Sequence, residues 1–273
     1  MLAIETSGLT RLFDRKPAVD GLDLRVPTGA FYGFLGPNGA GKSTTIKMLT
    51  GLLRPSLGTA RVLGLDLSRD GLAVKARIGV VPDGLALFER LSGLEMLRIH
   101  GQLYGLDRPT AARRAGELLE ALELTGDGGK LIQDYSHGMK KKLALGCALI
   151  HGPELLFLDE PFEGIDAVAV AGIRQMLQGL VTRGTLTVFL TSHVLEVVER
   201  LVTHVGIIHR GQLVAQGTLD EVRATGTLEE TFIRMVGEAR SGPQALSWLA
   251  AKGASSPPPV APVVAPDATG DGG

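Results

Sequence analysis

Short apolar runs alternate with stretches of helical periodicity along most of this sequence. The apolar runs predict seven β-strands, at residues 22–26, 31–35, 60–63, 78–81, 155–158, 187–190 and 205–208. The periodic stretches predict six helices, at residues 42–50, 94–104, 111–122, 138–150, 168–182 and 195–201. The runs 155–158 and 187–190 are almost wholly apolar, as central strands buried on both faces should be. Strands that alternate with helices in this way predict an α/β fold with a mostly parallel sheet.

Three regions depart from this alternation. Residues 1–60 hold several short strands separated by Pro and Gly turn signals, which indicates an additional antiparallel β layer near the N-terminus. Between Asp83 and Tyr135 the periodicity is helical throughout, so an inserted helical subdomain is expected at about residues 84–150. From Gly253 the composition shifts to Ala, Pro, Ser and Gly, which cannot bury enough apolar surface to offset the entropy of ordering. The sequence therefore predicts a folded domain, a terminal helix or linker, and a disordered tail, at residues 1–237, 238–252 and 253–273.

Composition narrows the possible partners. Lys and Arg number 28 against 29 Asp and Glu, so the net charge is near zero. The tightest basic cluster is Lys140, Lys141 and Lys142, and three lysines on one helical turn are more often a solvated face than a nucleic-acid footprint. The single cysteine, Cys147, cannot form an intrachain disulfide and is expected to be a buried small hydrophobe. We expect no signal peptide, no membrane span and no nucleic-acid partner.

A glycine-rich segment carries the strongest chemical signal. Gly36-Pro37-Asn38-Gly39-Ala40-Gly41-Lys42-Ser43 fits the P-loop pattern G-x-x-x-x-G-K-[ST] at every fixed position, between the predicted strand 31–35 and a predicted helix. Its backbone N–H groups and the helix N-terminus suit phosphate oxygens, and the expected contacts extend to Thr44. Lys42 is expected to reach the β- and γ-phosphates, and the Ser43 hydroxyl to bind Mg²⁺. The alternative, a fortuitous surface turn, does not explain the flanking strand and helix, so the sequence predicts a nucleotide site.

Two acidic residues follow the apolar run 155–158 directly. Asp159, at the strand tip, can complete the Mg²⁺ coordination. Glu160 is the natural general base that would orient and deprotonate the attacking water. A solvated acidic pair at a strand end is the alternative, and the P-loop in the same chain weighs against it.

The order of five short motifs resembles the ATP-binding subunits of ATP-binding-cassette (ABC) transporters. After the P-loop and the helical insertion come YSHGM, LDEP, GID and TSH, at residues 135–139, 158–161, 164–166 and 191–193. Each motif is weak alone, but their order is highly specific, and the resemblance covers about residues 4–237. The sequences of residues 97–106 and 135–139 are most similar to those of bacterial export-type subunits. Such subunits act on a separate permease to move drugs, antibiotics, lipids or polysaccharide out of cells.

The resemblance implies roles for individual residues. His193 matches a histidine that contacts the γ-phosphate and helps to orient Glu160, and Asp166 matches an acid that communicates across a dimer. Phe13 matches an aromatic residue that stacks on adenine, although a core Phe is the alternative. Asp83 stands where Gln is usual, and is expected to contribute to the Mg²⁺ shell and to coupling; unlike Gln, it cannot donate a hydrogen bond.

The resemblance also implies a site shared between two subunits. Ser136 and Gly138 match the part of the signature that binds the γ-phosphate of ATP held by the other subunit. The N-terminus of a helix suits that role because its N–H groups are available to an anion. Tyr135, His137 and Met139 depart from the family pattern, which leaves the strength of this contact open.

The implied function is ATP hydrolysis that energises a separate transmembrane permease through ATP-driven dimer closure. Lys42, Glu160 and His193 are the expected catalytic residues, and ATP and Mg²⁺ are the expected cofactors. The second ATPase subunit can be an identical or a different chain, and both would lie on the cytoplasmic face of the membrane. The alternatives are a soluble ABC ATPase of the DNA-repair or translation type and a catalytically silent scaffold.

An apolar stretch follows Asp83 and predicts the permease contact. It contains Leu85, Leu87, Phe88, Leu91, Leu94, Met96, Leu97 and Ile99. An inserted subdomain cannot bury all of these side chains, and a leftover apolar patch normally marks a partner site. In the resembled family this region receives a short permease helix, so the resemblance implies that Leu87 and Phe88 line that groove. A purely structural core is the alternative.

Overall fold

A computed structural model describes residues 1–237, except positions 163, 185, 194, 224 and 225, and omits the side chains of residues 167 and 197. Met1–Val236 forms one compact unit. The predicted terminal helix or linker at 238–252 and the predicted tail at 253–273 lie outside the described residues.

The central sheet has six strands. Across the sheet their order is β11 (Gln212–Thr218), β10 (His204–His209), β4 (Phe31–Leu35), β9 (Thr187–Ser192), β8 (Leu155–Asp159) and β7 (Ile78–Val81). The strands from β10 to β7 pair in parallel, and β11 runs antiparallel to β10 at the edge. Every residue of β4, β8 and β9 is buried, which confirms the prediction of β8 and β9 as central strands.

A second, antiparallel sheet confirms the expected N-terminal layer. Its strands are β1 (Leu2–Phe13), β2 (Lys16–Leu22), β3 (Arg25–Pro27), β5 (Leu57–Val62) and β6 (Leu65–Asp66). The single strand predicted at 22–26 is wrong, because Asp23 and Leu24 separate β2 from β3. The Gly8 backbone N–H donates to the Asp23 carboxylate at 2.7 Å, and the Leu24 N–H donates to Thr6 Oγ1 at 2.8 Å. These side-chain bonds interrupt the strand ladder, in which the Thr6 N–H still donates to the Leu24 carbonyl at 2.9 Å.

Nine helices surround the sheets within the described residues. They are α1 (Lys42–Leu49), α2 (Gly71–Arg77), α3 (Gly93–Leu103), α4 (Arg108–Ala121), α5 (His137–Leu149), α6 (Ala167–Thr182), α7 (Leu195–Glu199), α8 (Leu219–Arg223) and α9 (Leu228–Val236). The six predicted helices are confirmed, with small shifts at their ends. Polar N-caps explain several starts: Ser92 and Glu95 form a capping box before α3, and Asp107 accepts a hydrogen bond from the Thr110 N–H in α4.

The helical insertion is also confirmed. Residues 82–136, all of which the structure describes, contain α3, α4 and two short 3₁₀ turns but no strand. The insertion shares one apolar core with a face of the central sheet, to which Leu97, Leu143 and Leu158 contribute. A second core lies between the other face of that sheet and the antiparallel sheet. The central sheet is therefore covered on both faces, and its carboxyl edge is where a site can form.

Candidate functional site

Three motifs meet at the carboxyl edge of the central sheet. Strand β4 pairs in parallel with β9, with Leu35 opposite Ser192, and β8 pairs with β9, with Asp159 opposite Thr191. The segments that leave these strands are the P-loop, the acidic pair and the TSH motif. Parallel pairing therefore brings together residues that lie far apart in the sequence, in the crevice where open α/β sheets bind ligands.

Two glycines of the P-loop are required by close backbone packing. A Cβ on Gly36 would lie 2.4 Å from the carbonyl oxygen of Ile208, and one on Gly41 would lie 2.5 Å from that of Ala18. Gly41 also has a φ of 111° where it caps α1, a conformation that side chains disfavour. The glycines therefore let the loop pass close to neighbouring backbone at the N-terminus of α1, a place that suits a phosphate.

Lys42 lies in the first turn of α1, and its side chain is only 7% exposed. Its Nζ donates to the Gly36 carbonyl at 2.8 Å and to the Pro37 carbonyl at 3.4 Å. The same Nζ lies 3.5 Å from Glu160 Oε1. The P-loop lysine and the expected general base are thus direct neighbours.

Glu160 is held from several sides in a left-handed backbone conformation, with φ of 49°. Its Oε2 lies 3.0 Å from His193 Nδ1 and accepts from the His193 backbone N–H at 3.3 Å. Its own N–H donates to Thr191 Oγ1 at 3.1 Å, and its carbonyl accepts from Lys141 Nζ at 3.0 Å. Non-glycine residues in this region persist only where their surroundings determine the conformation, and they cluster at functional sites.

Thr191 and Lys141 are neighbours of the site that the sequence analysis missed. Thr191 is fully buried, and its Oγ1 donates to Asp159 Oδ1 at 2.6 Å. Its only signal in the sequence was its place in the TSH motif. Lys141 is 6% exposed.

The prediction that the lysine cluster is a solvated face is therefore wrong. Lys140 pairs with Glu89 at 2.8 Å, and Lys142 pairs with Glu123 at 3.0 Å. Between them, Lys141 turns inward to the backbone of Glu160. Consecutive helical residues do not share a face, and this rule could have identified one inward-pointing lysine.

A cavity of about 440 Å³ opens at this edge. It is lined by Ala18, Pro37, Asn38, Gly39, Gly41, Lys42, Ser43, Thr44, Asp83, Glu160 and His193. Most of the predicted P-loop residues and all three expected catalytic residues therefore share one cavity. Ala18 is a further lining residue, and its small apolar side chain left no signal in the sequence.

Some predicted site residues lie elsewhere. Phe13 ends β1 and is 45% exposed, so the alternative that it is a core residue is wrong. The guanidinium carbon of Arg11 lies 4.7 Å from the centroid of the Phe13 ring. Ser136 is exposed and caps α5 by accepting from the Met139 N–H at 3.2 Å, and Gly138 lies in the first turn of that helix. None of these described side chains lines the cavity.

Asp166 has a local role that the sequence analysis did not foresee. Its carboxylate caps α6 by accepting from the Ala169 N–H at 2.9 Å and the Val168 N–H at 3.1 Å. These bonds, that from Ala169 first, hold the pKa of Asp166 below its usual value. The helix start beside the GID motif is therefore fixed by the aspartate of that motif.

The oxygen donors at the cavity fit Mg²⁺. Ser43 and Asp83 line the cavity, and Asp159 lies buried at the adjacent strand end. In the part of the chain that the structure describes, no group of three or more His, Cys, Asp or Glu residues could hold a metal. A few oxygen ligands suffice for Mg²⁺, because this ion keeps several waters and binds substrate phosphates.

The apolar stretch after Asp83 is mostly core. Met96 and Leu97 are fully buried, and Leu87 packs partly buried against the main apolar cluster. Phe88 and Ile99 are the exceptions, at 61% and 36% exposed. The two expected groove residues therefore differ in burial: Leu87 packs against the core, whereas Phe88 is exposed, because adjacent side chains in this segment point in different directions.

Cys147 is buried, as predicted. It is 6% exposed, and burial raises the pKa of its thiol to about 12. Among the described residues, no helix is long and apolar enough to cross a bilayer.

Comparison with known proteins identifies the family. A family model described as "ABC transporter" matches residues 19–163. The daunorubicin resistance ATP-binding protein DrrA3 of Streptomyces coeruleorubidus is 42% identical over 222 residues, which span 81% of this chain and 70% of that protein. The bacitracin transport ATP-binding protein BcrA of Bacillus licheniformis is 37% identical over 220 residues, spanning 81% of this chain and 71% of that protein. A solved ATP-binding subunit of an ABC transporter matches with a TM-score of 0.80 and 29% identity, covering 86% of this chain and 99% of that one. With its P-loop, acidic pair and TSH motif gathered at one sheet edge, this chain belongs to the ABC transporter family, as an ATP-binding and ATP-hydrolysing subunit.

Proposed function

We propose that this chain hydrolyses ATP in the cavity at the carboxyl edge and thereby drives a separate membrane permease that exports a drug-like or antibiotic compound. One observation carries the catalytic part of the proposal. The Glu160 carboxylate lies between Lys42 Nζ, at 3.5 Å, and His193 Nδ1, at 3.0 Å. A base, a phosphate-binding cation and an orienting histidine thus converge on one point of the cavity.

The phosphates would bind where the P-loop N–H groups converge. In the nucleotide complex, Lys42 Nζ would exchange its contacts with the Gly36 and Pro37 carbonyls for β- and γ-phosphate oxygens. Ser43, Asp83 and Asp159 would hold Mg²⁺, which supplies charge neutralisation to the phosphates when it is bound.

Glu160 would act as the general base on the attacking water. Its carboxylate accepts hydrogen bonds, so His193 Nδ1 donates to it. Nε2 would reach the γ-phosphate, to which it can donate only when both ring nitrogens carry a proton. Thr191 supports this arrangement because it bonds to Asp159 and to the backbone of Glu160.

The second half of the nucleotide site would come from a second ATPase subunit, identical or different. Ser136 is exposed at the N-terminus of α5 and does not line the cavity of its own chain. An exposed helix N-terminus suits an anion held by a partner, and Gly138 in the first turn gives access to its N–H groups. Asp166, at the start of α6, belongs to the same proposed interface, and Phe13 is proposed to stack on adenine.

The proposals of a permease partner and of an exported compound rest on the similarity to known proteins. Relatives at 42% and 37% identity are a daunorubicin resistance protein and a bacitracin transport protein. The exposed Phe88, in the segment after Asp83, is the proposed contact with the permease. A position on the cytoplasmic face of the membrane is part of the same proposal.

An efflux measurement tests the proposal. The chain would be co-expressed with a candidate permease, and intracellular daunorubicin and sensitivity to bacitracin would be measured. Glu160→Gln should abolish any protection, whereas Glu154→Gln, an exposed acid paired with Arg77 at the start of β8, should keep it. Wild-type ATPase activity without membrane association or efflux would instead favour a soluble ABC ATPase.

A further inference from the structure

We infer that Lys141 is a positioning residue that connects the helix beginning at Ser136 to the backbone of the base Glu160. Through it, a contact made at Ser136 would reach the catalytic base of the same chain. The inference rests on the proposed two-subunit ATP site, in which Ser136 meets the ATP held by the other subunit.

The position of the Lys141 ammonium group is closely determined. The residue is 6% exposed, and it borders a small cavity whose other lining side chains include Val81, Leu145 and Leu158. A buried ammonium requires hydrogen-bonding partners, and the Glu160 carbonyl accepts from Nζ at 3.0 Å. Lys141 is therefore held at the backbone of the base.

That backbone is the strained part of the site. Glu160 adopts a φ of 49°, which is uncommon for a residue with a side chain. Its N–H bonds to Thr191 on one side and its carbonyl to Lys141 on the other. A displacement of Lys141 would thus rotate the peptide that aims the Glu160 carboxylate at Lys42 and His193.

The mechanical link from Ser136 to Lys141 is a helix. Ser136 caps α5, and Lys141 follows five positions later, about 7.5 Å along the axis. A shift of this helix when Ser136 binds phosphate would move Lys141 with it. The base of one ATP site would then respond to occupancy of the other site, which is coupling between two sites through a rigid element.

The test compares Lys141→Met with Lys142→Met in the full-length chain. Methionine keeps an unbranched side chain of similar length but cannot donate a hydrogen bond. Lys142 is the matched control, since it lies next in the same helix and pairs with Glu123 rather than with Glu160. Lys141→Met should lower kcat by about 10²-fold through misplacement of the base, with unchanged ATP affinity. Any Hill coefficient above 1 for hydrolysis in the wild type should fall to about 1. Lys142→Met should retain both values.

A second variant and clear contrary outcomes complete the test. In Lys141→Gln the amide nitrogen lies one bond nearer the backbone than Nζ does, so it cannot reach the Glu160 carbonyl. This variant should show the same loss of kcat, and it replaces Lys141→Met in the test if that variant does not fold. Wild-type kcat in both variants overturns the inference, as does an equal loss in Lys142→Met or a parallel loss of ATP affinity. If Glu160→Gln hydrolyses ATP as fast as the wild type, the proposed ATP site itself is wrong. That outcome is distinct from one in which only the Lys141 variants keep wild-type kcat.

Discussion

Thr191 Oγ1 donates a 2.6 Å hydrogen bond to Oδ1 of Asp159, and both residues are buried. The bond joins the ends of β8 and β9 at the site. The same hydroxyl accepts from the Glu160 N–H, so one threonine holds both acidic residues.

Replacing this threonine should separate stability from activity. Thr191→Val removes the hydroxyl at constant shape, and should cost about 1–3 kcal/mol of unfolding free energy and reduce ATP turnover. Thr187→Val is the control, because Thr187 is equally buried on β9 and accepts from the Gly29 N–H at 2.9 Å at the other end of the strand. Urea unfolding should show a similar loss of unfolding free energy in both variants. A phosphate-release assay should show a loss of ATP turnover in Thr191→Val alone. Equal turnover in the two variants would contradict the proposed role.

Lys42→Ala should abolish tight ATP binding. The ammonium group lies at the P-loop cradle, and each hydrogen bond to a charged group is worth about 1.5–3 kcal/mol, so the affinity should fall roughly a hundredfold. Titration calorimetry measures this change. Lys47→Ala, an exposed lysine in the last turn of the same helix, should bind ATP normally; unchanged affinity in Lys42→Ala would refute the P-loop assignment.

Glu160→Gln should keep ATP binding and lose turnover by about 10²–10⁴-fold, because the amide cannot accept a proton from water. With ATP and Mg²⁺ the variant should elute from a sizing column as a dimer, since the ATP that joins two subunits is no longer cleaved. Glu154→Gln should turn over ATP normally. A strictly monomeric elution of Glu160→Gln would count against the two-subunit site.

Phe88→Ser should weaken association with the permease and leave the fold intact. Surface substitutions usually change stability by less than about 0.5 kcal/mol, and Phe88 is 61% exposed. Leu103→Ser is the control, since Leu103 is 74% exposed on α3 of the same subdomain. Co-sedimentation with permease-containing membranes should fall for Phe88→Ser only. Leu87→Ser should instead lower the melting temperature, because Leu87 packs against the core.

His151 should make the stability depend on pH. Burial, with smaller contributions from Arg114 and His100, lowers its pKa below the usual value near 6.5, and its ring stacks on Tyr104 at 3.7 Å between centroids. The unfolded chain then binds a proton that the folded chain resists, so the free energy of unfolding falls as the pH drops below about 6.5. Urea unfolding at pH 5.5 and at pH 7.5 measures the change in unfolding free energy between the two pH values. This change should be smaller in His151→Gln than in the wild type. An identical difference in both proteins would exclude His151 as the cause.

Much of this fold and site could be predicted because the signals were local. The P-loop between its strand and helix, and the acidic pair after an apolar run, specify their own surroundings, and parallel pairing then brings them together. Strand β1 was missed because its alternation is interrupted by polar residues such as Thr6 and Thr10, which are buried with hydrogen-bonded hydroxyls. Residue propensity and hydrophobic periodicity cannot predict hydrogen bonds of this kind, because the partners are set by the fold.

The parts of the site that sequence patterns did not provide depend on distant contacts. The inward direction of Lys141 follows from the position of Glu160, 19 residues away, and the cavity wall at Ala18 follows from the packing of β2 against the P-loop. The two expected groove residues differ in exposure although they are neighbours in the sequence. Motifs identify chemistry, whereas the supporting contacts need the fold.

The guanidinium group of Arg11 lies over the Phe13 ring, which is 45% exposed and is proposed to stack on adenine. A phenyl ring has no hydrogen-bond donor or acceptor, and every nucleobase offers a π face to stack on it. The contact proposed here therefore gains affinity from ring area but provides no means to distinguish adenine from guanine. If this ring is the contact with the base, the nucleotide would be selected by its triphosphate, and GTP should be tolerated at the same ring.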